Sequence, residues 1–259
     1  MLSTGGADGT EVEEAGMAKE KPRDLRAGVA LLWGEQDQPT RGPKPSLTTQ
    51  RIAAAAVVIA DADGLDAVSM SKVAAEFDVS AMALYRYVPG KAELVELMVE
   101  SVLADAPDLS AAGDGWRQRI TEWARRSAAV HRAHPWLLAA TAMRRQLMGP
   151  NQLGWLDSAL AALEPTGLSA AEQHRVFVLV AGLVRTLVQQ DLDFDEQHSR
   201  EWSRLTNELL ERHADRFPTL TRAIAAGAFA PDPVDPLEFG LARMLDGVQL
   251  LLHPDGAAG

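Results

Sequence analysis

Apolar residues recur along most of this chain at three- and four-residue intervals, the spacing that gathers side chains on one face of an α-helix. Nowhere do they alternate singly, as a half-buried strand requires. Around positions 48–63, Ile52, Ala55, Ala56 and Ile59 form one such face, with Thr48 or Thr49 placed to cap its start and Gly64 to end it. A short helix is predicted after Ser69, carrying Val73, Ala74 and Phe77. Asp78-Val79-Ser80 breaks it, and a second short helix follows with Val79, Leu84 and Val88 inward and Ser80 as its N-cap. Leu94, Leu97, Met98, Val102 and Leu103 then form the stripe of a longer helix over residues 92–104, a natural lever between this head and everything downstream.

The downstream pattern is helical as well. Trp116, Ile120, Trp123, Ser127 and Val130 share one face, Pro135 and Pro150 each restart the chain, and Leu153, Leu156, Leu160 and Leu163 form the next stripe. Ser169-Ala170-Ala171-Glu172 is a capping box opening a helix to about Gln190. Its residues 176–188 are apolar on nearly every side, which predicts burial on nearly every side. A helix with Trp202, Leu205, Leu209 and Leu210 follows. Asp235-Pro236-Leu237-Glu238 starts the last one, whose stripe is Leu237, Leu241, Met244, Leu245, Val248 and Leu252. The helix at 169–190 and the last helix carry more apolar surface than one small bundle can cover. Pairing each with its symmetry mate predicts a homodimer interface at Val176, Val180, Leu183, Val184 and Leu187 together with Leu241, Met244, Leu245 and Val248.

The expected fold is therefore all-α, in three parts. Residues 1–45 form a flexible arm with a local apolar spot at Leu31-Leu32-Trp33, residues 46–91 a three-helix head, and residues 92–259 a helical domain whose first piece is the connecting helix 92–104. With 259 residues, 47% of them hydrophobic, the chain can bury a substantial core. It has no cysteine, hence no disulfide or thiolate chemistry, and it shows neither a hydrophobic signal core nor a run long enough to span a bilayer, so a cytoplasmic location is expected.

A net charge of −11 argues against nucleic-acid binding until its distribution is considered. Acid excess fills residues 1–40 and 92–259, whereas residues 41–91 hold six basic and five acidic side chains. Arg41, Lys44, Arg86 and Lys91 supply local attraction there, and Arg41-Gly42-Pro43-Lys44-Pro45 reads either as an extended arm for a DNA groove or as a Pro-rich linker. Both tyrosines of the chain, Tyr85 and Tyr87, flank Arg86 on the second short helix, beside the small residues Ala81 and Ala83. Such a helix fits a major groove, as the reading helix of a helix-turn-helix, although an ordinary helix pair with a tyrosine-bearing surface has the same pattern.

The wording of the segment resembles the DNA-binding domain of the TetR repressor family, over roughly residues 46–104. The resemblance is carried by the alanine-rich first helix ending at Gly64, by Val68-Ser69-Met70, and by the string Val79-Ser80-Ala81-Met82-Ala83-Leu84-Tyr85-Arg86-Tyr87-Val88-Pro89-Gly90-Lys91. It implies a homodimeric repressor that reads double-stranded DNA at a palindromic operator and is released by a small-molecule inducer, apolar or cationic, bound in the C-terminal domain. By position it implies DNA contacts at Thr48, Met70, Ser71, Ala81, Met82, Ala83, Tyr85, Tyr87 and Lys91, with Ser80 and Arg86 in the same string. Ser71 stands where many relatives carry arginine, and Ala81-Met82-Ala83 offers few hydrogen-bonding groups, so thymine methyl contacts carry more of the readout. Trp116, Trp123, Trp136 and Trp155, with Phe177, are candidates for the wall of a ligand pocket, against the simpler reading that they are core. His131 and His134 are spaced for a shared helix face but lack a third ligand, and no Ser-His-Asp arrangement stands out. No metal, cofactor or catalytic group is therefore expected. The rival classes are a helical protein-interaction scaffold, which leaves the tyrosine-bearing helix unexplained, and an all-helical enzyme, which lacks convergent titratable groups.

Overall fold

The computed structural model describes residues 24–35, 47–142, 147–193, 196–228, 230 and 233–252. Among these there is no β-strand. The helices, in order, are α1 (Leu25–Leu32), α2 (Thr49–Asp63), α3 (Met70–Ala75), α4 (Ala81–Leu84), α5 (Lys91–Val102), α6 (Trp116–Ala133), α7 (Trp136–Ala140), α8 (Pro150–Leu163), α9 (Ala170–Asp193), α10 (Glu196–Arg212), α11 (Pro218–Ala225) and α12 (Pro236–Leu252).

Helix α1 lies within the stretch read from sequence as a flexible arm. Asp24 caps it through Arg26 and Ala27, and Leu31 and Leu32 are buried against α5. Each such leucine contributes about 1.5–3 kcal/mol of burial, enough to hold a two-turn helix that would not form alone. The head then folds as its stripe predicts. Thr48 Oγ1 accepts from Arg51 N (3.2 Å), Gly64 ends α2 at φ 81°, and Ile52, Ala56 and Ile59 meet Val73, Leu84 and Val88 in one apolar cluster.

Helix α5 packs chiefly on α2 and also touches α1, α7 and α8, so it belongs to the head and the downstream domain at once. Its inner face combines Leu94, Val95, Met98 and Val99 with three buried carboxylates, Glu93, Glu96 and Glu100. Downstream, α6 packs on α8 and α9, and α12 packs on α9. Arg125 grips Glu238 with two hydrogen bonds (2.6 and 2.8 Å), and Arg117 bonds Asp246 (2.6 Å) and the Ala242 carbonyl (3.0 Å), pinning α12 alongside α6. The capping box forms as read, Ser169 and Glu172 bonding reciprocally, and Asp235 caps α12 with Oδ1 accepting from Leu237 N (2.7 Å).

Two stripes differ from expectation. On α8 the buried positions are Trp155, Ala159, Ala162 and Leu163, while Leu153 is exposed, because Trp155 is drawn under α6 and rotates the helix toward its own side. On α9 only one side is covered within the chain: Val176, Val180, Val184 and Val188 are buried, but Val178 and Leu179 are 51% and 55% exposed. Helix α10 buries Leu210 and leaves Trp202, Leu205 and Leu209 outside.

Candidate nucleic-acid interface

The helix pair is built by local chemistry. Ser69 Oγ accepts from Lys72 N (3.1 Å) and starts α3. The helix ends in a left-handed turn at Asp78 (φ 54°), with Val79 N donating to the Ala74 carbonyl and Asp78 N to the Ala75 carbonyl, both at 3.2 Å. This is the bonding of a Schellman motif, and aspartate is one of the few side chains that tolerates its left-handed position without being glycine. Ser80 sits at the N-cap of α4 with an extended backbone, but its hydroxyl makes no capping bond. Its carbonyl instead receives Ala83 N (2.9 Å), so the hydroxyl stays on the outer surface. Val79, expected inward, is exposed, because the turn swings it outside. Leu84 and Val88 are completely buried and fix the orientation of α4.

That orientation settles where the candidate contacts lie. Met82 is 71% and Tyr85 45% exposed, and Ser71, Ser80, Arg86 and Lys91 are exposed with them. Ala81, Ala83 and Tyr87 are half-buried, with Ala81 and Tyr87 packed against the core. Met70 does not belong to this surface. At the first position of α3 its side chain turns into the core cluster with Val68 and Val73 and is 6% exposed, so a DNA contact by that side chain is ruled out in this arrangement. Thr48, Thr49, Arg86 and Tyr87 line one cleft of about 890 Å³, which runs inward past Leu31 and Leu32 to Glu100 and Asn151. Arg41 and Lys44 lie outside the described residues. Lys72, exposed on α3 and paired with Asp63 (2.5 Å), is a further cation of the head that the sequence did not single out.

The aromatic candidates for a ligand wall are bonded into the interior. Trp123 Nε1 donates to the Trp155 carbonyl (2.9 Å), Trp155 Nε1 to the Leu103 carbonyl (3.2 Å) and Trp136 Nε1 to Asp61 Oδ1 (2.7 Å). Trp155, Trp123 and Phe177 stand edge to face in succession, with centroids 6.0 and 5.6 Å apart. Trp116 is half-buried at the start of α6. The two histidines have separate partners: His131 Nδ1 donates to the Ser127 carbonyl and His134 Nδ1 to Asp61 Oδ1, each at 2.8 Å. Burial lowers the His131 pKa below the ordinary imidazole range, and the neighbouring Arg185 charge lowers it further. Arg185 itself donates to Thr141 Oγ1 and to the Leu138 carbonyl at the end of α7.

The head is tied to the downstream domain by carboxylates that the sequence reading missed. Asp61 of α2 holds His134 and Trp136. Glu96 of α5 accepts from Leu147 N (2.8 Å), and Glu100 accepts from Asn151 N and Gln152 N (2.8 and 3.1 Å) at the start of α8. Their signal was present, since Glu93, Glu96 and Glu100 recur at helical spacing inside an otherwise apolar stripe.

Six of the nine residues expected at a dimer interface face the interior of their own chain: Val176, Val180, Val184, Leu241, Leu245 and Val248 are all buried. Leu183, Leu187 and Met244 are half-buried on their flanks. The apolar surface that suggested a partner is largely the seam by which α9 and α12 join the rest of the protomer. Among the apolar residues these helices leave outside are Val178, Leu179 and Leu192 on α9, and Phe239, Leu250 and Leu251 on α12.

Comparison with known proteins agrees with this architecture. Residues 52–98 match the family described as bacterial regulatory proteins, tetR family, and residues 107–252 match the tetracyclin repressor-like C-terminal domain. The chain is 36% identical over 258 residues to the HTH-type transcriptional repressor DrrR1 of Streptomyces coeruleorubidus, covering 96% of this chain and 92% of that protein. It is 31% identical over 221 residues to an HTH-type transcriptional regulator of Saccharopolyspora erythraea, covering 84% and 89%. Among solved structures, the Streptomyces coelicolor TetR family protein ActR in complex with actinorhodin superposes with a TM-score of 0.64 at 26% identity, over 79% of this chain and 96% of that one.

Proposed function

Because the chain belongs to the TetR family of DNA-binding transcriptional regulators, which are not enzymes, we propose that it is a cytoplasmic repressor that reads a two-fold symmetric operator and is released by a small molecule bound in its C-terminal domain. The observation that carries this reading is the exposed surface of α4. A four-residue helix pinned by Leu84 and Val88 presents Met82 and Tyr85 outward, with Arg86 and Lys91 beside them and Thr48 and Tyr87 along the adjoining cleft. Met82 and the small Ala81 and Ala83 suit thymine methyl groups, while Tyr85, Arg86 and Lys91 suit phosphates and acceptor edges. The bare faces of α9 and α12, around Leu179 and Leu251, support a homodimer in which each helix meets its symmetry mate. A cationic inducer accords with the acid excess of the downstream domain, whereas the aromatic series Trp155, Trp123, Phe177 is taken up by the interior.

Selection of duplexes from a random pool tests the reading. The expected product is a palindrome with half-sites about 10 bp apart, or a small multiple of that. Recovery of asymmetric sequences, or of none, would overturn it. Within the selected site, Lys91→Ala is expected to weaken binding and to reduce the slope of log affinity against log salt by about one.

A further inference from the structure

We propose that Glu100 is the positioning residue that sets the DNA-reading head against the downstream domain, by clasping the first turn of α8 to the lever helix α5. The inference rests on the repressor reading above and goes beyond it by naming the joint.

One side of α5 is stitched to the segment 147–155 along nearly two helical turns. Glu96 Oε1 receives Leu147 N at 2.8 Å. Glu100 Oε2 and Oε1 receive Asn151 N and Gln152 N at 2.8 and 3.1 Å, Asn151 Nδ2 donates back to the Glu100 carbonyl at 2.8 Å, and the Trp155 indole donates to the Leu103 carbonyl at 3.2 Å. Helix α8 begins with Pro150, which has no N–H, so Glu100 takes the donors of the next two residues, at the positive end of the helix. Glu100 as a whole residue is 7% exposed, and its carboxylate keeps these donors only while α5 and α8 hold this register. Gly149 confirms how closely it is seated: its backbone is extended (φ −90°), a conformation open to any residue, yet a Cβ there would lie 2.4 Å from Glu100 Cδ. The missing side chain at 149 makes room for the carboxylate.

A small tilt of α5 therefore breaks several bonds at once and leaves a charge buried without donors, so the lever has discrete seats rather than a continuous range. The seated arrangement is the one that holds the head for operator binding, and movement of α8 is what unseats it.

The test uses the full chain and the duplex selected by the wild-type protein. Glu100→Gln removes the charge, and Gly149→Ala pushes the carboxylate off its donors without touching a head residue. Both are expected to raise the operator Kd at least about fivefold at a temperature where circular dichroism shows full folding. Leu168→Ala, which removes a buried side chain away from α5, is the control: any comparable fall in melting temperature should leave its operator Kd unchanged. Unchanged or tightened operator binding in folded Gly149→Ala and Glu100→Gln would overturn the proposal while leaving the repressor reading intact. Failure of the wild-type protein to select any duplex would sink both.

Discussion

At the scale of single residues, a few side chains have consequences that can be measured one at a time. Asp78 occupies the left-handed position of the helix-turn-helix turn, where a β-branched residue is penalised. Asp78→Val is expected to cost about 1–2 kcal/mol in chemical denaturation, whereas Asp78→Gly should be close to neutral. Tyr87 packs its ring on the core while lining the cleft, so Tyr87→Ala is expected to lower both melting temperature and operator affinity. Lys91→Ala, by contrast, should lower affinity alone. His131 couples stability to pH. Its folded pKa lies below the ordinary value of 6.5, so the unfolded chain binds a proton that the native chain refuses, and stability falls as pH drops through that value. Urea midpoints measured between pH 7.5 and 5 should decline in the wild type and decline less in His131→Gln. Equal slopes in the two proteins would remove His131 from the account.

At the scale of elements, the sequence was legible for most helices that meet a core on one face, α8 being the exception. The stripes of α2, α5 and α6, the caps at Thr48, Ser69 and Asp235, and the stop at Gly64 all follow from spacing and local hydrogen bonding, and they stand as read. It was less legible where one surface decides between two partners. The period of α9 and α12 marks a buried seam but does not say whether the seam lies within a protomer or between two, and the within-protomer answer applies to Val180 and Leu245. Met70 failed for a related reason: its position in the motif gives the residue a place on α3, while burial depends on how α3 packs against α2 and α4. Glu96 and Glu100 were passed over because their spacing marks them as out of place in an apolar stripe without saying what they bond, and their donors lie some fifty residues away, at Leu147, Asn151 and Gln152. The short helix α1 hides for a different reason, since a helix of two turns depends almost wholly on the surface it docks to.

At the scale of the whole molecule, the apolar surface left on α9 and α12 is what a second copy would cover. Leu179→Glu or Leu251→Glu is expected to give a folded monomer in sedimentation, with operator affinity lost because two linked half-sites are no longer read together. Val180→Glu, by contrast, buries a charge inside the protomer and should unfold it. A dimer persisting in both surface variants would move the interface to another face. The docking of α1 also bears on how this protein is cut and handled. A head trimmed at residue 46, where the family resemblance begins, would lose Leu31 and Leu32 and bare the side of α5 near Leu97 that they share a cleft with. The natural cloning boundary therefore lies upstream of Asp24, and a shortened version is expected to be the stickier preparation, for want of two leucines.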